Sequence, residues 1–195
     1  MAAYSRRYGV ALSLAAHAHR TQSRKGNGIP FLTHPVHVSV ILLRSGFSED
    51  VAIAGLLHDV VEDQDVPLAL LEADFGPAVA EMVTALSEQK RENGVKRSWE
   101  VRKAEALDKL RHASSEAVAV KAADVLHNAR SLVEHILHHG PSAWEEYSRG
   151  PEQSLWYFRS VAALARERLG AHPLVDELDE AVRDLEQVIA AMAGS

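Results

Sequence analysis

Residues 58–63 read His-Asp-Val-Val-Glu-Asp and follow directly on the apolar run Val51-Ala-Ile-Ala-Gly-Leu-Leu57. An imidazole and a carboxylate side by side on a helix that apolar residues carry inward are costly to desolvate. A carboxylate taken out of water must be compensated by a cation or by hydrogen bonds. A divalent metal shared by His58 and Asp59 is the simplest compensation. Glu62 lies four residues after His58, and Asp63 four after Asp59. On a continuous helix the second pair therefore stacks one turn beyond the first, on the same face. The bland alternative is a helix end that becomes solvated after Leu57.

A metal needs about four protein ligands, fewer where water or substrate completes the shell. His34, in Pro30-Phe-Leu-Thr-His-Pro35, and Asp124, in Val118-Ala-Val-Lys-Ala-Ala-Asp-Val-Leu-His127, are the further candidates. Singly, each has an ordinary explanation: His34 as a helix-start histidine, Asp124 as a carboxylate paired with Lys121 at i−3. With His58 and Asp59 they make a set of two imidazoles and two carboxylates spread over three helices. Such a donor set suits Mn²⁺ first, with Fe²⁺ or Zn²⁺ as substitutes, better than Ca²⁺ or Mg²⁺. The chain has no cysteine, which removes thiolate sites. A metal so held keeps open positions, lowers the pKa of a bound water and polarises a phosphoryl oxygen. Glu62 and Asp63 stand where they can orient a nucleophile or supply a proton, or where they only hydrogen-bond the ligands. Asn128, four residues after Asp124, shares its face and can offer a hydrogen bond to a ligand there.

The order His34…His58-Asp59…Asp124 resembles that of HD-domain phosphohydrolases. Ala18-His-Arg-Thr-Gln-Ser-Arg-Lys25, Gly28-Ile-Pro-Phe31, Leu56-Leu-His-Asp-Val-Val-Glu-Asp63 and Lys121-Ala-Ala-Asp-Val-Leu-His-Asn128 resemble, more narrowly, the alarmone hydrolase domain of the Rel/SpoT family. The likeness is strongest to stand-alone small alarmone hydrolases of the metazoan SpoT-homologue type, and runs from about His19 through Arg168. It implies an all-α HD-domain bundle around one metal. It also implies catalysis by Glu62 and Asp63, and removal of the 3′-pyrophosphate from guanosine tetra- or pentaphosphate to give GDP or GTP and pyrophosphate. By the same resemblance Arg24 and Lys25 face the nucleotide, and Lys96-Arg97…Arg102-Lys103 hold phosphates, although a solvated helix face explains any single one of them equally well. Tyr147 is a further contact near the mouth of the pocket. His127, His135, His138 and His139 read as surface histidines. Gln64 stands where the family usually has Thr, and the Asp124 segment lacks the usual Arg or Lys. Both departures bear on base recognition, so adenosine alarmones, NADPH or another nucleotide stay open as substrates, as does a non-catalytic nucleotide-sensing module.

At 195 residues the chain reads as one domain that buries most of its extended surface. Its formal charge of −6 argues against nucleic acid as a partner while leaving room for a nucleotide in a locally basic cleft. Arg6-Arg7 before Gly9-Val-Ala-Leu-Ser-Leu-Ala-Ala16 superficially suggests a secretory leader. With His17 and His19 close behind, it reads instead as the first helix, and the expected location is cytoplasmic, with no membrane partner. Nearly every segment runs at a helical period, over about 5–21, 35–45, 48–63, 67–73, 76–87, 98–112, 115–139, 151–169 and 173–193. Residues 88–97, polar and glycine-containing, are expected to form a mobile loop. The stripe Leu174, Leu178, Val182, Leu185 and Ile189 is expected to pack on the bundle, with a homodimer contact as the alternative.

Overall fold

A computed structural model of the chain describes residues 5–24, 28–92, 94–146 and 149–193. Helices α1 (Arg6–Ala18), α2 (Thr33–Arg44), α3 (Glu49–Leu57), α4 (Val60–Gln64), α5 (Leu68–Phe75) and α6 (Pro77–Leu86) come first. After a small hairpin follow α7 (Trp99–His112), α8 (Ser115–His139), a 3-10 segment (Gly140–Glu146), α9 (Pro151–Leu169) and α10 (Pro173–Ala193). Serine caps start several of them. Ser98 and Ser114 accept from the backbone N–H of Val101 and Ala117 at 3.3 and 3.1 Å, satisfying donors that a helix start leaves open.

The expected helix over 48–63 is two helices. His58 and Asp59 form a turn between α3 and α4, with Asp59 at φ −98° and ψ −10°. The His58 Nδ1 bonds the carbonyl of Gly55 at 2.8 Å, which closes the end of α3. On a straight helix adjacent side chains diverge by about 100°. The turn instead brings His58 Nε2 and Asp59 Oδ2 to 3.2 Å. Residues 88–97, expected as a loop, contain an antiparallel hairpin of β1 (Arg91–Glu92) and β2 (Val95–Lys96), with Arg91 opposite Lys96.

Helix α8 runs through the centre, with α2, α3, α6, α9 and α10 packed against it. Its face from Ala117 to Val120 is sealed from solvent, as are Ile53, Leu56 and Leu57 of α3. Burial of such side chains supplies about 1.5–3 kcal/mol each, and it sets the helices that carry the polar cluster. The stripe on α10 faces inward: Leu174, Leu178, Val182 and Leu185 are buried within the single chain. No helix among the described residues is long and apolar enough to cross a membrane.

Candidate active site

His34 stands in the first turn of α2, His58 and Asp59 in the turn after α3, and Asp124 in the middle of α8. Gly55 is what lets α2 approach α3. A Cβ there would lie 2.7 Å from Leu42 Cδ1 and 3.3 Å from Val38 Cγ1. With the helices this close, the His34 and His58 rings pack edge to face, centroids 5.3 Å apart.

One donor atom from each of His34, His58 and Asp59 falls within 4.8 Å of the others. His34 Nε2 is 3.8 Å from Asp59 Oδ2 and 3.2 Å from Asp124 Oδ1, and His58 Nε2 is 3.9 Å from the same Asp124 oxygen. Both histidines are 2% exposed. His58 Nε2 is buried and makes no hydrogen bond, while its Nδ1 is committed to Gly55. A buried nitrogen aimed at two carboxylates is tolerable only with a proton or a cation between them, and this donor set fits a divalent ion.

The charges agree. Burial alone would lower the pKa of His58, but the Asp59 and Asp124 carboxylates outweigh it and hold the imidazolium up to about 9 in the metal-free protein. His34 goes the other way: burial pushes it down further than Asp124 can lift it. Burial works to raise both aspartates. His58 nevertheless holds Asp59, and Lys121 holds Asp124, below the usual carboxylate range. Asp124 makes the expected pair with Lys121. Its Oδ2 takes the Lys121 ammonium at 2.8 Å and its Oδ1 takes Asn128 Nδ2 at 2.6 Å, while Oδ1 also faces His34.

Glu62 and Asp63 sit on α4, which begins directly after the His58-Asp59 turn. Glu62 Oε2 accepts the Glu88 N–H at 2.9 Å, and Asp63 Oδ2 accepts Gln22 Nε2 at 3.1 Å. Lys90, just before the hairpin, reaches both carboxylates, at 3.2 Å for Glu62. Those two anions outweigh partial burial and raise the lysine pKa, so Lys90 stays charged.

A cavity of about 500 Å³ opens against Asp63 and Asp124. Arg24, Lys103 and Asn128 line it. Arg24 is held there by backbone pairing of its own loop (its N–H to Ile29 O, 2.8 Å) and donates to Asn128 Oδ1 at 3.1 Å. Lys96, Arg97 and Arg102 do not line the cavity. Lys96 is exposed on the hairpin, Arg97 bonds Glu105 at 2.8 Å, and Arg102 bonds Glu88 at 2.8 Å. Lys25 and Tyr147 lie outside the described residues.

The cavity wall also holds Gln22, Lys90, Trp99 and Tyr157, none of them picked out as site residues from the sequence. The run Leu155-Trp-Tyr-Phe158 was a usable signal for Tyr157, over whose ring Lys103 Nζ sits 4.5 Å from the centroid. Lys90 had none, since its place depends on how the hairpin folds back. His127 is a correction: it is half-buried rather than on the surface, and its Nδ1 lies 2.8 Å from His34 Nδ1.

The sequence profile of the HD domain matches residues 11–146. The mouse and human guanosine-3′,5′-bis(diphosphate) 3′-pyrophosphohydrolases MESH1 are each 33% identical over 90% of this chain and 90% of their own. The bifunctional (p)ppGpp synthase/hydrolase SpoT of Escherichia coli K12 is 32% identical over 90% of this chain but only 23% of its own length. Among solved structures, a metazoan ortholog of SpoT described as hydrolysing ppGpp superposes with a TM-score of 0.74 at 30% identity, over 94% of this chain and 97% of that one. A protein of Listeria monocytogenes EGD-e superposes with a TM-score of 0.68 at 34% identity, over 77% and 96%. With its helical architecture, its ordered His34, His58-Asp59 and Asp124, and these relatives spanning nearly its whole length, the chain belongs to the HD-domain family.

Proposed function

We propose that this protein is a metal-dependent hydrolase that removes the 3′-pyrophosphate of guanosine tetra- or pentaphosphate, giving GDP or GTP and pyrophosphate. His34, His58, Asp59 and Asp124 hold one divalent ion, Mn²⁺ by preference. The observation that carries the reading is the meeting of four such donors, two imidazoles and two carboxylates, of which Asp124 lines a nucleotide-sized cavity together with Asp63 and the cations Arg24, Lys90 and Lys103. Relatives that span this chain nearly end to end and are named for that reaction support it.

A divalent ion in this place supplies a water of lowered pKa and a polarised phosphoryl oxygen. The chain's own groups do the remainder. Arg24, Lys90 and Lys103 attract and orient the phosphates. Asn128, fixed by Arg24 and Asp124, offers its amide to the ribose. Tyr157 and Trp99 provide the apolar wall for base or sugar. Glu62 takes a proton from the attacking water, and Asp63 stands at the leaving side. The new bond joins the water oxygen to phosphorus. The bond that breaks joins that phosphorus to the 3′-oxygen, which takes up one proton from solvent, as Glu62 releases the one it received, and leaves as the hydroxyl of GDP or GTP. Lys90, charged and bridging the two carboxylates, offsets the negative charge that gathers as the oxygen departs. A cytoplasmic location suits such a substrate.

The test is turnover of ppGpp in Mn²⁺, Zn²⁺ or Fe²⁺, with pyrophosphate and orthophosphate measured separately and adenosine alarmone and NADPH alongside. Equal amounts of GDP and pyrophosphate are expected. Orthophosphate alone would mean a different phosphohydrolase. Tight nucleotide binding with no turnover in any metal would mean a sensor.

A further inference from the structure

His34 is tied to the protein surface by two more histidines. Its Nδ1 lies 2.8 Å from Nδ1 of His127 on α8, and His127 Nε2 lies 2.8 Å from Nδ1 of His37 on α2. The rings follow one another with centroids 4.9 and 4.8 Å apart. His34 and His37 sit three residues apart on one face of α2, and His127 crosses from the neighbouring helix to touch both. The exposed end, at His37, opens into a cavity of about 570 Å³ that Arg24, Arg44 and His127 also line. It lies apart from Asp63, Asp124 and Tyr157, which line the other cavity.

Each nitrogen–nitrogen contact at this distance holds one proton. That fixes the whole chain once one end is fixed. For His34 to present the Nε2 lone pair, its proton must sit on Nδ1. His127 must then accept at Nδ1 and carry its own proton on Nε2, which it donates to His37 Nδ1. Run in reverse, the chain leaves His34 protonated on Nε2, toward Asp124, where a cation would have to be. His127 is therefore the residue that decides which face of His34 is open.

We propose that His127 is a positioning residue for the metal, holding His34 in the tautomer that frees Nε2, and that His37 anchors His127 from the surface. The inference rests on the reading of His34 as a ligand. Outer partners of this kind are worth about 10–100-fold in metal affinity.

The test is titration of the metal-free full chain with Mn²⁺ alone, following the free ion by electron paramagnetic resonance, with thermal unfolding of each metal-free variant as a check on folding. His127→Phe keeps a ring and removes both nitrogens, and should weaken Mn²⁺ binding at least about tenfold. His127→Asn places an amide oxygen where Nδ1 was, still accepts from His34, and should retain most of the wild-type affinity. His37→Leu, at an exposed position, should show a smaller loss of about two- to fivefold, well short of the range for a direct partner. If the Phe ring does not fold, His127→Ala takes its place. Loss in His34→Ala with wild-type affinity in His127→Phe overturns the positioning role alone. Wild-type affinity in both removes the ligand reading and this inference with it. Equal losses in His127→Phe and His127→Asn also overturn it, because the acceptor would then not be what matters.

Discussion

The His-Asp cluster and the basic segment from Lys90 to Lys103 reach the same cavity, the first through Asp124 and the second through Lys90 and Lys103, yet they are built in opposite ways. His34 and Asp124 project from α2 and α8 and His58 from the turn that ends α3, helices whose other faces form the apolar core, and each is buried. Their spacing is set by core packing, down to the missing side chain of Gly55. The cations of the second region stand around the hairpin and on α7, and most are paired with carboxylates: Arg97 with Glu105, Arg102 and Lys103 with Glu88, and Lys90 with Glu62 and Asp63. Lys90 and Lys103 reach the cavity. Chemistry that needs donors within a few tenths of an ångström is placed where rigidity is greatest. Charge that only has to attract and orient phosphate can be carried by long, adaptable side chains. Arg102 shows how the regions join. It holds the buried Glu88 carboxylate while the Glu88 backbone N–H holds Glu62.

Substitutions in the first region should be the most damaging. His58→Ala is expected to lose bound metal and turnover together, with activity down at least about 1,000-fold, as for loss of a group that acts as part of a unit. Metal analysis and ppGpp hydrolysis on the same sample check this, and an active variant with a full metal complement would break the comparison. Glu62→Gln should keep its metal and lose about 100- to 10,000-fold in kcat, the range for a general acid or base. Unchanged kcat would remove the proton role assigned to Glu62.

The second region gives smaller and divided effects. Lys103→Met should raise KM by about tenfold, the loss of one charge-assisted contact of roughly 1.5 kcal/mol, and Lys90→Met should raise KM similarly and lower kcat as well, because its charge also faces the departing oxygen. Lys96→Met, exposed and away from the cavity, should leave KM within about twofold. Equal effects at all three positions would mean that the hairpin closes over the substrate in a way the resting geometry does not express.

Protonation offers a further probe of the buried cluster. The His58 imidazolium has a pKa of about 9 in the folded metal-free protein against 6.5 when unperturbed. A folded pKa above the unfolded one gives stability that is complete below pH 6.5 and is lost as the pH rises through 9. The shift corresponds to on the order of 3 kcal/mol. Denaturant unfolding of the metal-free chain should therefore weaken across this window. Since the proton competes for Nε2, Mn²⁺ affinity should climb by about tenfold per pH unit up to pH 9. A flat profile in both measurements would show that His58 is neutral without its metal. A milder effect on stability is expected at Gly55→Val. Its added methyls meet Leu42 and Val38 and should cost about 1–3 kcal/mol of stability, while loosening metal binding through the separation of His34 from His58.

Much of this was legible in the chain. A carboxylate inside an apolar helical run is a local anomaly, and Asp59 and Asp124 both announce themselves that way. Helix ends at Ser98, Ser114 and Gly140-Pro141 are written in residue types that cap or break helices. The break at His58-Asp59 was not legible, because an apolar run followed by good helix formers continues a helix unless side-chain demands at the turn override propensity. The silent cations Lys90 and Lys103 were not distinguishable from Lys96 either. Alternating basic and acidic residues look alike until a fold decides which pairs meet.

What the sequence determined alone was the chemistry on offer: two imidazoles, two carboxylates and a second acidic pair, in an order and at spacings that put them on helices with buried faces. What only the tertiary structure decided was which neighbours those groups have. Helix α8 lays His127 against His34, ninety-three positions earlier, and the hairpin returns Lys90 to Glu62 and Asp63. Helical periodicity is a local property and can be read along the chain. Contacts between distant side chains follow from how close two helices can pack, and between His34 and His58 that closeness depends on Gly55.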